Sequence, residues 1–130
     1  MPPRPRLHHV SVSVTDLEAS ANWYRRVLAV EEIGTRQGAG WRKSVLGTDG
    51  FLVSLTRHDA ADADDRFDET RVGLDHLAIG CDRREDLDAW LAHVDELGLE
   101  RSPVTEAPHA HLFTCRDPDG MPVEFYWPVG

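Results

Sequence analysis

The chain reads as an α+β protein of two tandem βαβββ modules, forming a cupped mixed sheet with helices on its outer face. Three observations predict this. Leu7–Val14 (LHHVSVSV) recurs as Leu74–Cys81 (LDHLAIGC), placing His9 on His76 and Val12 on Ile79 at an offset of 67 residues. The same offset carries Trp23 to Trp90 and Val27 to Val94, inside stretches of helical periodicity. Finally, Thr48-Asp49-Gly50 precedes Phe51–Leu55 (FLVSL), as Pro118-Asp119-Gly120 precedes Met121–Phe125 (MPVEF). Matching starts, helices and hairpins mark a duplicated unit. The repeat sets module one at about residues 7–57, an acidic connector at about 58–71 and module two at about 72–128.

Each element follows from local pattern. Leu7–Val14 and Leu74–Cys81 alternate as strands do. Thr15 or Asp16 can cap the first helix, and Thr15 with Glu18 matches a capping box. Leu17, Ala21, Tyr24 and Leu28 then recur at helical spacing. The second helix is predicted from about Arg83 to Leu97, stopped by Gly98, with Leu87, Trp90, Leu91 and Val94 as its apolar stripe. Three strands follow in each half: about Glu31–Thr35, Trp41–Leu46 and Phe51–Thr56, then about Leu99–Thr105, Ala110–Arg116 and Met121–Trp127. Asp117-Pro118-Asp119-Gly120 is a strong tight-turn sequence.

Composition excludes several roles. With 23 acidic against 14 basic residues and a net charge of −9, the chain is a poor partner for nucleic acid or an anionic membrane. No apolar run approaches the roughly 20 residues that span a bilayer. The basic start MPPRPR lacks the apolar core of a secretory signal, which predicts a cytoplasmic protein. Cys81 and Cys115 are expected as buried thiols. The run His58–Arg71 is acidic and aperiodic, as a solvated connector would be.

Strand alternation sorts the candidate site residues. His9, Ser11 and Ser13 lie opposite Val10, Val12 and Val14; His76, Ala78 and Gly80 lie opposite Leu77, Ile79 and Cys81. Each half therefore has an apolar face suited to its helix, and a face of one His plus small residues, which leaves room for a ligand. Glu124 sits in a strand among Val123, Phe125 and Trp127, where an unpaired carboxylate is expensive. Its counterpart in module one is Ser54. His9, His76 and Glu124 make a two-His, one-carboxylate set that leaves a metal partly open. The expected cofactor is a divalent metal, Fe(II) first, with Zn, Ni or Mn as alternatives.

The segments HHVSVSVTDLEASANWYRRVL, LDHLAIGC and RDPDGMPVEFYWP resemble the vicinal oxygen chelate superfamily, the family of glyoxalases, bleomycin resistance proteins and extradiol dioxygenases. The resemblance spans nearly the whole chain. It implies paired βαβββ modules, a metal that holds two oxygens of a small-molecule substrate, and a homodimer. It places the metal on His9, His76 and Glu124, with Ser54 at a fourth position. Glyoxalase-type isomerases carry a second Glu there as proton-transfer base, which Ser54 cannot be at neutral pH. Ser11 stands where fosfomycin-resistance members place Thr or Cys, and Thr114 where an extradiol enzyme would have Tyr. The resemblance favours oxygenase-type chemistry slightly over a lyase, isomerase or transferase. A non-catalytic antibiotic-binding protein is the alternative of another class.

Further residues could serve the pocket. His111, Phe113 and Cys115 share one strand face, and alternation leaves open which face that is. On the inward alternative, His111 is a catalytic acid or base and Phe113 lines the substrate pocket. His109 has the same standing as His111. Tyr126 shares a face with Glu124 and can hydrogen-bond a substrate oxygen. Trp41 is an aromatic wall, or else a core or interface residue.

Overall fold

Apolar alternation on short strands and a single apolar stripe on each helix demand a sheet covered on one side. The computed structural model describes residues 1–130 and shows this arrangement twice, in Met1–Asp65 and in Arg66–Gly130. No helix is long and apolar enough to cross a membrane.

Module one runs β1 (Val10–Ser13), α1 (Leu17–Leu28), β2 (Glu31–Gly38), β3 (Trp41–Thr48) and β4 (Phe51–His58). Its sheet has the order β1-β4-β3-β2, with β1 parallel to β4 and the other pairs antiparallel. Asp16 caps α1, accepting a hydrogen bond from the Ala19 amide at 3.0 Å. Arg25 and Arg26 sit in the last turn, where the helix dipole favours positive charge. The helix ends at Ala29, which takes the left-handed conformation (φ 53°) that a glycine would adopt at less cost. Tyr24, Val27, Leu46 and Leu55 are fully buried between α1 and the sheet.

Module two runs β5 (Leu77–Gly80), α2 (Arg84–Glu96), β6 (Thr105–Glu106), β7 (Ala110–Arg116) and β8 (Pro122–Pro128), in the sheet order β5-β8-β7-β6. Asp86 closes the start of α2, accepting from the Arg83 amide at 3.0 Å and from its guanidinium at 2.8 Å. Leu87, Val94, Phe113, Val123 and Phe125 have no exposed surface, and the Phe113 and Phe125 rings stack at 4.9 Å. Cys81 and Cys115 are free and buried, and burial pushes the Cys115 thiol up to about 11.

The two registers agree with the repeat. Ser11 pairs with Ser54 across β1 and β4, and Ala78 pairs with Glu124 across β5 and β8. Ser54 and Glu124 therefore occupy the same rung of equivalent ladders.

Some boundaries differ from expectation. The β1 and β5 strands begin at Val10 and Leu77, so His9 and His76 stand one residue before their strands. Strand β2 extends to Gly38 instead of ending near Thr35; its far half is exposed and polar, which hides the period. The expected strand Leu99–Thr105 shrinks to Thr105–Glu106. Pro103 has no amide hydrogen to give, and Ser102 meets Thr114 through its hydroxyl as well as its backbone. The connector is partly tied down: the Phe67 amide donates to the Asp119 carbonyl at 2.9 Å, and Glu69 pairs with Arg116 at 2.9 Å.

Candidate metal centre

In module two, the turn before β8 fixes where Glu124 stands. The Asp117 carboxylate accepts hydrogen bonds from the amides of Asp119 and Met121, each at 2.9 Å, and Gly120 takes φ 90°. Chain direction is thus set three residues before Glu124. The parallel pairing of β5 with β8 then brings the end of the preceding loop, which carries His76, alongside Glu124.

His76 Nε2 lies 2.7 Å from Glu124 Oε2. On the other side of the ring, His76 Nδ1 lies 2.7 Å from Asp75 Oδ1. The hydrogen bond to Asp75 raises the imidazole above its ordinary range, with the Glu124 charge acting the same way and desolvation opposing. Glu124 is mostly buried, its side chain 17% exposed, while that of His76 is 45% exposed. A carboxylate on Nδ1 holds the tautomer that leaves Nε2 free to bind a metal.

The chemistry of this donor set fits a divalent ion. Two donors bound side by side, each about 2.1 Å from one metal, stand about 3 Å apart, close to the separation of Nε2 and Oε2 here. Between them lies an acceptor oxygen and an imidazole nitrogen, the donor types that iron, zinc, nickel and manganese accept. Neither module by itself gathers three such side chains. The structure brings together two of the three expected ligands, and the third belongs to module one.

There His9 is exposed and its Nδ1 lies 2.8 Å from Nδ1 of His8, the rings meeting edge to face at 5.1 Å. That contact occupies one ring nitrogen and leaves Nε2. Ser11 Oγ and Thr56 Oγ1 are 3.0 Å apart. Ser54 is 4% exposed, and its hydroxyl, wholly enclosed, has no hydrogen-bond partner. Trp41 lies on the sheet face away from α1, its ring resting where a side chain on Gly38 would be.

Two expected residues stand elsewhere. Phe113 pairs with Phe125 across β7 and β8 and is entirely buried in the helix-side core, so it does not line a pocket. His111 shares that face: its Nδ1 accepts from Arg84 Nε on α2 at 3.0 Å, and its ring meets Trp127 at 5.1 Å. The inward alternative for this strand is thereby corrected. Leu112 and Thr114 take the inner face, opposite Tyr126 and Glu124. Tyr126 does share the Glu124 face, two residues on. Strand alternation does not single out Asp75, although its place next to His76 is a usable signal.

Comparison with known proteins agrees with this architecture. Residues 6–125 match the family described as the Glyoxalase/Bleomycin resistance protein/Dioxygenase superfamily. A crystal structure of a glyoxylase/bleomycin resistance protein/dioxygenase domain from Frankia sp. EAN1pec superposes with a TM-score of 0.87 at 30% identity, covering 98% of this chain and 94% of that one. The protein YqjT of Bacillus subtilis (strain 168) is 26% identical over 94% of this chain and 98% of its own length. Lactoylglutathione lyase from Agrobacterium tumefaciens shares the fold, with a TM-score of 0.72 at 21% identity, covering 97% of this chain and 96% of its own.

Proposed function

Because the chain belongs to the glyoxalase/bleomycin resistance protein/dioxygenase superfamily, we propose that it is a divalent-metal-dependent enzyme acting on a small molecule, with His9, His76 and Glu124 as ligands. The observation that carries this reading is the 2.7 Å approach of His76 to Glu124 with Asp75 behind the ring. A metal held there, Fe(II) or else Zn, Ni or Mn, would supply Lewis-acid or oxygen-activating chemistry to a substrate chelated through two oxygens.

The chain's own residues support that role. Asp75 holds the His76 ring and its tautomer. Tyr126, on the Glu124 face, offers a hydroxyl to a substrate oxygen. Ser54 occupies the rung equivalent to Glu124 and cannot act as a proton-transfer base at neutral pH. This weighs against isomerisation and puts oxygenase-type chemistry first, ahead of a lyase or transferase reaction. The reading includes a homodimer in the cytoplasm, with no nucleic acid or membrane partner.

One observation favours a second reading, a binding protein that sequesters its ligand without turnover. His111, the imidazole expected to act as acid or base, is turned to the helix side and held by Arg84. Oxygen uptake by the iron-loaded protein across a catechol panel separates the two. Consumption that disappears in Glu124→Gln supports the oxygenase. Saturable ligand binding with no consumption, and no product in lyase or transferase assays, supports the binder.

A further inference from the structure

The face of the module-one sheet turned away from α1 carries two cations side by side. The register places Ser11 and Ser13 on β1, Ser54, Thr56 and His58 on β4, Trp41 and Lys43 on β3, and Arg36 on β2 on this same face. Of the nearby acidic side chains only Glu31 shares this face by register, opposite Gly47 at the start of β2. Glu32 turns to Ser44 on the helix side, Glu31 pairs with Arg25, and Glu18 of α1 pairs with Arg42. In a chain of 23 acidic residues, a sheet face with one of them, itself paired with Arg25, and with the sole lysine is a marked departure.

Lys43 and Arg36 are direct cross-strand partners, so two cations stand side by side, an arrangement that costs free energy unless an anion joins them. Neither is paired with a carboxylate. Lys43 Nζ lies over the Trp41 ring, 5.1 Å from its centroid, and Arg36 donates to its neighbour's carbonyl at 3.2 Å. Gly34 leaves space for the Arg36 guanidinium, whose Nη1 lies 3.5 Å from where a Cβ would stand. Next to Lys43 across the ladder is Thr56, bonded to Ser11, and one rung away is the enclosed, unpartnered hydroxyl of Ser54. A buried hydroxyl without a partner is unfavourable, and a ligand oxygen reaching it would satisfy it.

We propose that this face is an oxyanion-binding subsite in which Lys43 and Arg36 take the charge of a carboxylate or phosphate group and the Ser11, Ser54 and Thr56 hydroxyls take its remaining oxygens. Neither cation is held by a carboxylate, so each can exchange its contact with the indole ring or the backbone carbonyl for a ligand. The subsite is formed by module one alone and does not depend on the metal pair. Its ligand is an anionic small molecule, selected against the negative field of the rest of the chain.

The test uses the full chain, stripped with EDTA so that no metal contributes. Inorganic phosphate and acetate are titrated separately at constant ionic strength, and amide shifts are followed by heteronuclear NMR. Saturable shifts at Arg36, Lys43, Ser54 and Thr56 are expected with at least one anion, and the stronger response tells a tetrahedral from a planar ligand. Lys43→Gln should weaken binding about fivefold or more, and Lys43→Arg should restore most of it. Preserved spectral dispersion shows that each variant folds. No saturable shift with either anion, shifts confined to other residues, or equal affinity in Lys43→Gln would overturn the proposal. Because the metal is absent throughout, failure of the metal reading leaves this outcome unaffected.

Discussion

Replacing Asp75 with Asn separates the metal centre's support from the stability of the fold. The amide keeps the size of the carboxylate but loses its charge, so it holds the His76 Nδ1–H less firmly and no longer raises the basicity of the ring. Loss of such an outer carboxylate typically weakens metal binding by about 10–100-fold, or about 1.4–2.7 kcal/mol. Here the contact is short at 2.7 Å, but the Asp75 side chain is 67% exposed, so water screens much of its charge. The expected loss therefore sits near tenfold. Folding should change little, since an exposed pair contributes about 0.2–1 kcal/mol. Isothermal titration with Zn or Ni into chelator-stripped protein, alongside urea unfolding of the metal-free form, reads both quantities. Affinity unchanged within about twofold would refute the outer-carboxylate role. A large loss of metal-free stability would show Asp75 to be structural instead.

Other outcomes follow from packing and titration. Ala29→Gly should stabilise the chain by about 0.5–1 kcal/mol in urea unfolding, since it relieves the left-handed conformation at φ 53°, less the entropy glycine adds to the unfolded state. Phe113→Ala should cost about 3–5 kcal/mol, because Phe113 has no exposed surface and stacks on Phe125. A loss below about 1 kcal/mol would contradict its place in the core. Cys115 binds its proton more tightly folded than unfolded, so its contribution is fully present below the unfolded value of about 8.5 and fades as pH rises through about 11. Unfolding measured across that window should show falling stability, and Cys115→Ala should flatten the fall.

Much of this architecture is legible in the repeat. The offsets that align His9 with His76 and Ser54 with Glu124 are the same ones that the registers Ser11 with Ser54 and Ala78 with Glu124 express as ladder rungs. Strand β7 is where alternation fails. Leu112 and Phe113 are both apolar and adjacent, so period two offers no way to choose between faces; only pairing with β8 decides it. Strand β6 fails for another reason: the repeat places a strand over Leu99–Thr105, but Pro103 has no amide hydrogen to give the ladder, and only Thr105–Glu106 pairs with β7. The cationic face of module one is invisible locally, since Arg36 and Lys43 become neighbours only through the β2–β3 register. Asp75 illustrates a related gap, because its meaning depends on which ring nitrogen His76 turns to Glu124.

The proposed site would hold a metal on His76 and Glu124 together with His9. Its most direct test is metal content per chain in untagged, anaerobically purified protein, compared with His9→Ala and Glu124→Gln. About one equivalent of a divalent ion, lost in both variants while each keeps the fold, is the predicted result. No metal in the parent protein even after divalent ions are supplied, or equal content in all three, would contradict it.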